Sequence, residues 1–168
     1  MPSEPRETAE QLYAVIPHAL PLHTRVEYGL DVSDEQAQYL TREMLSLNLY
    51  WIYSALSANL PARDADRVFR ALQRRIEAAW DPEFMLQGHD VRSYWIEMKD
   101  RRTAYDEMVR SGGTPLSLYL KAVSFLESAQ AVHADDRQRV LALFIDLIPE
   151  DAIGEMATAI ELSDPDTH

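Results

Sequence analysis

From Met44 to Leu60 the chain runs seventeen residues without a charged side chain. Such a run must be covered, because left in water it would present a continuous apolar surface. It is marginal for a bilayer, which needs about 20 apolar residues. It also carries Ser46, Asn48, Ser54, Ser57 and Asn59, polar groups that a lipid-facing helix would hold at a cost. The expectation is a helix buried among other helices, with no membrane association.

The rest of the chain supports an all-α fold. Glycine occurs only 5 times in 168 residues, and no segment alternates at period two as a half-buried strand would. About six helices are expected, in a single compact bundle with short connections that contain Pro or Gly. The first covers about Glu7 to Val15, and Pro17 and Pro21 then impose an extended connection through His18 and His23. Ser33, with Gln36 placed for a capping box, starts a helix that Pro61 ends.

A third helix, about Ala65 to Trp80, spaces Val68, Phe69, Leu72 and Ile76 on one face. A fourth, Asp90 to Arg110, does the same with Val91, Tyr94, Trp95, Met98, Tyr105, Met108 and Val109, and closes at Gly112 and Gly113. Thr114 caps a fifth, Pro115 to about Ala131, with charges only at Lys121 and Glu127. It is apolar nearly all round and is expected to be central. A sixth, Asp135 to Ile148, meets Pro149, beyond which Ile153, Met156, Ala157 and Ile160 form a last apolar face. One domain over residues 1–162 is the expectation, and residues 163–168 are expected to form a disordered tail.

Composition excludes several chemistries. Without cysteine the chain has no thiol nucleophile, no thiolate metal site and no disulfide, which together with an acidic, signal-free start favours a cytoplasmic location. The net charge of −12 works against whole-molecule attraction to nucleic acid or an anionic membrane. That charge is uneven. Residues 1–62 hold 3 basic and 8 acidic residues, 63–110 hold 10 and 10, and 111–168 hold 3 and 10.

Four positions form the clearest pattern: Arg63, Arg67, Arg70 and Arg74 recur at helical spacing, an arginine stripe suited to phosphates or carboxylates. Arg102 falls within the apolar stripe of the fourth helix and needs a partner for its charge. On the second helix Glu43 shares a hydroxyl-bearing face with Tyr50 and Tyr53, which suits a polar pocket or a protein contact. The five histidines lack ligand spacing, and His89 and His133 sit just before helix starts, where a capping or loop role is expected. No metal, cofactor or catalytic residue is expected, and no phosphate loop or nucleophile elbow occurs.

Three functional expectations remain. The leading one is a non-catalytic protein-interaction module, an adaptor, assembly chaperone or inhibitor of a protein partner. The second is a small-molecule or anion-binding module, or an unusual enzyme, using an Arg/Tyr-lined pocket. The third is a nucleic-acid-associated protein or a duplex mimic. Opposite charges in the middle and at the ends also suit a homo-oligomer.

Overall fold

The computed structural model describes residues 2–162, and residues 163–168 lie outside them together with the tail expected there. The chain is all-α. Its helices are α1 (Pro5–Val15), α2 (Leu22–Glu27), α3 (Asp34–Asn59), α4 (Ala62–Ala79), α5 (Val91–Arg110), α6 (Pro115–Ser128), α7 (Arg137–Leu147) and α8 (Glu150–Thr158). A 3-10 turn, Ala134–Asp136, leads into α7. No strand occurs among the described residues, only one isolated bridge between Ser3 and Leu162.

Local chemistry sets most of the boundaries. Ser33 Oγ accepts from the Gln36 amide at 3.1 Å while the Ser33 amide donates to Gln36 Oε1 at 2.9 Å, the reciprocal box that starts α3. Asp90 starts α5 by accepting from the Ser93 amide, and Thr114 starts α6 with Ser117. Pro149 separates α7 from α8 as the N-cap of the latter. One expectation failed here: the stretch after Pro17 is not extended throughout, because Pro21 caps the six-residue helix α2.

The helices assemble into two units, neither continuous in sequence. The first takes the described residues of Met1–Ile16, Asn48–Ala79 and Pro149–His168. In it α1 packs on α4 and also meets α8. Ala9, Leu12 and Tyr13 of α1, Val68, Leu72 and Ile76 of α4, Ile52 and Leu56 of the last turns of α3, and Ile153 of α8 are buried.

The second unit takes Pro17–Leu47 and Trp80–Ile148. Here α6 packs on α5 and α7. Its core includes Leu40, Met44 and Leu45 of α3, Tyr94 and Tyr105 of α5, Leu118, Ala122 and Val123 of α6, and Leu143 and Phe144 of α7. The uncharged run at Met44 to Leu60 behaves as its composition requires in its first half, where every residue from Met44 to Tyr50 is buried. No helix of the described residues is long and apolar enough to cross a membrane.

The fifth expected helix departs from the reading of its hydropathy. Buried residues of α6 lie on one side, while Leu116 and Leu120 stand 47% and 36% exposed. Spaced four apart, they form one strip on the outer face of the helix.

Candidate functional site

The densest set of polar side chains lies in the second unit, where α3 meets α5. Glu43 of α3 is buried, as are Thr41, Met44 and Leu47 around it, and its side chain is only 8% exposed. Arg101 of α5 reaches it as a fork: Nε donates to Oε1 at 3.0 Å and Oε2 at 3.2 Å, and Nη2 donates to Oε1 at 2.5 Å. The same Nη2 donates to Glu97 Oε1 at 2.8 Å, one turn back along α5. The Arg101 guanidinium also lies 3.7 Å from the centre of the Phe125 ring on α6, so its planar face and its edge are both used.

The network then continues outward. Arg42 Nη2 donates to Glu97 Oε2, and Arg42 Nη1 donates to His89 Nδ1 at 2.7 Å. An arginine cannot accept a hydrogen bond, so Nδ1 must be the lone-pair nitrogen and the neutral ring carries its hydrogen on Nε2. Burial first, and the Arg42 charge next, lower the His89 pKa from the ordinary 6.5. The ring stands edge-on to Tyr39 at 4.9 Å, and the His89 carbonyl accepts from Trp80 Nε1 at 2.8 Å. Beneath it Tyr94 is fully buried, with its hydroxyl 3.2 Å from Ser46 Oγ. Burial pushes the Tyr94 hydroxyl far above its usual range.

Two arginines and two glutamates therefore cancel each other's charge over a short distance. Glu43 and Arg101 feel their shared pair differently. Burial pushes the Glu43 carboxyl up against the pull of Arg101. At Arg101 burial acts to lower the pKa, but Glu43 together with Glu97 outweighs it and the pKa rises. The glutamate is the more enclosed partner, so desolvation wins there.

Chemically the arrangement is a brace between helices. It leaves one outward feature, a cavity of about 420 Å³ lined by Glu35, Gln38, Tyr39, Arg42, His89 and Ser93, among others. The imidazole there is fixed in orientation and tautomer by Arg42, so it presents a donor. No group of three or more His, Asp or Glu that could hold a metal ion occurs among the described residues.

The residues singled out by sequence separate. Arg63, Arg67, Arg70 and Arg74 run along α4 in the first unit, with Arg63, Arg70 and Arg74 exposed and Arg67 half-buried, paired to Asp64 at 3.3 Å. Tyr50 is buried and Tyr53 half-buried against the Phe69 ring at 5.4 Å, so this face of α3 is not open surface. Glu43 and Arg102 belong to the second unit. Glu43 takes Arg101 as its fork, and Arg102 is half-buried beside it on α5.

Sequence reasoning passed over Arg101, Arg42 and Glu97 as a set. The spacing of Glu97 and Arg101, four apart on one helix, was the visible signal. His89 takes the loop role, in the bend before α5, whose cap is Asp90. His133 does cap, its Nδ1 accepting from the Asp135 amide at 3.2 Å.

No family model matches the sequence, and comparisons with curated proteins and with solved structures found no match.

Proposed function

We propose that this chain is a non-catalytic helical interaction module, acting in the cytoplasm as an adaptor, assembly chaperone or inhibitor of a protein partner. The observation that carries the reading is the strip of Leu116 and Leu120 on α6, exposed at 47% and 36%. Full burial of a leucine is worth roughly 1.5–3 kcal/mol, so covering the exposed parts of these two would favour association by roughly 1–2.5 kcal/mol. A partner supplying a groove would take α6 as an amphipathic helix is usually taken, by residues one turn apart.

A second pair, Leu22 and Val26, is exposed at 65% and 66% on α2 in the same unit and offers a further strip of the same kind. The charge of −12 favours a partner with a basic rim, since complementary potentials speed encounter and reject like-charged competitors. The brace from Glu43 to Arg42 supports a non-catalytic reading in its own way. Its charged groups are spent on one another, which is how a scaffold uses ionisable side chains.

Affinity capture of the tagged chain from its native host tests this. One stoichiometric protein should co-elute at moderate salt, and the double change Leu116→Ser with Leu120→Ser should abolish it. Both leucines are exposed, so the variant keeps its fold. Retention of the partner by the double variant removes α6 as the contact.

A further inference from the structure

The first unit contains a cleft that the docking strip on α6 does not involve. It has a volume of about 430 Å³ and is lined by Arg6 and Glu10 of α1 and by Ala71, Arg74, Arg75 and Ala78 of α4. A volume of that order is typical of small-molecule sites. Alanines at two of the six lining positions leave room that larger side chains would fill.

The charges in the cleft do not balance. Arg75 is held in place, its Nε donating to Glu10 Oε2 at 3.1 Å and its guanidinium lying 3.9 Å from the centre of the Tyr13 ring. Glu10 thus answers one cation. Arg6 and Arg74 make no ion pair among the described residues. Three guanidiniums and one carboxylate leave two positive charges on the walls of one cleft, in a chain whose net charge is −12.

Arg6 is exposed at the start of α1. It lies in the first turn of α1, where the helix dipole disfavours a cation. It also adds repulsion to Arg74 and Arg75 across the cleft. An anion between them removes both penalties. Arginine forks match the oxygens of a phosphoryl group, and two excess positive charges match a dianion.

We propose that the cleft between α1 and α4 binds the dianionic phosphate of a small phosphomonoester, with Arg6 and Arg74 as its principal ligands and Arg75 as a fixed third wall. The organic portion would lie over Ala71 and Ala78. The same chemistry is offered by a phosphometabolite, by free phosphate and by a phosphorylated side chain, and a titration separates these sources.

The test is phosphorus NMR and calorimetric titration of the intact chain, in about 0.1 M chloride so that diffuse attraction is screened. The probes are inorganic phosphate, phenyl phosphate and a phosphoserine peptide. Saturable one-to-one binding of at least one probe is expected. Phenyl phosphate as the tightest ligand identifies a small organic phosphomonoester, whereas a tighter peptide or tighter free phosphate overturns that assignment of source.

Arg6→Gln and Arg74→Gln should each weaken binding by about tenfold, as loss of a charge-assisted contact does. Arg63→Gln removes the same charge from an exposed position on the same helix, outside the cleft, and should change affinity by less than about twofold. Absence of saturation with all three probes, or equal losses in the Arg63 and Arg74 variants, overturns the proposal.

Discussion

Glu43 and Arg101 make the heaviest electrostatic demand on this molecule. Removing one partner of a buried pair leaves an uncompensated charge, at a cost of about 3–5 kcal/mol, whereas replacing both with apolar residues is often neutral or better. Arg101→Met alone should therefore lower the urea midpoint sharply, and Glu43→Met together with Arg101→Met should recover most of the loss. A single variant as stable as the parent would mean that the pair is solvated. His89 gives a pH signature. Its pKa is lowered in the fold by burial and by Arg42, so the unfolded chain binds its proton first as pH falls. Stability present above pH 6.5 is lost as pH drops through that value toward the folded pKa. His89→Gln, which keeps an acceptor for Arg42, should flatten the slope of stability between about pH 7 and 5. An unchanged slope would show that other groups set it. Sequence singled out Arg102 and passed over its neighbour Arg101, and both are half-buried on α5. Arg101 left no local trace of its role because its partner Glu43 lies 58 positions away.

At the level of elements, ends are the best-specified features. The box of Ser33 and Gln36, the Asp90 cap and the Thr114 cap depend on residues three apart, which is why the sequence alone locates them. The turn after α5 is equally local. Gly112 has a φ of +83°, with open space where a Cβ would go. Gly113 has none, for a Cβ there would meet the Met108 carbonyl oxygen at 2.7 Å. Gly112→Ala should thus cost about 1 kcal/mol from the left-handed conformation alone, and Gly113→Ala more, because the clash is with backbone. Thermal unfolding of the two variants decides it, and the reverse order would contradict this view of the turn. Two elements escaped the sequence. Helix α2 is six residues long, too short for periodicity to register, and the prolines before it read as extension. The exposed strip of α6 escaped because hydropathy reports how many apolar residues a helix has, and the neighbours that cover them belong to α5 and α7.

For the whole molecule, composition was a reliable guide to class. Few glycines, punctuating prolines and an uncharged central run lead to helices, and helices are what form. The distribution of charge has a different consequence. Arg63, Arg70 and Arg74 are exposed on α4, while Asp151 and Glu155 are exposed on α8, so any attraction between these charges on two copies of the chain is one that salt screens. Light scattering should find a monomer in about 0.5 M salt, where the Debye length is only a few ångströms. A dimer that persists there would assign the α6 strip to a second copy of the chain. The central claim is that Leu116 and Leu120 are the contact made with a different protein. Hydrogen–deuterium exchange on the captured complex addresses it directly, by comparing amide protection with and without the partner. The account predicts new protection across Pro115–Ser128 and its loss when both leucines are changed to serine. Protection confined to α4, with α6 exchanging as in the free chain, would contradict it.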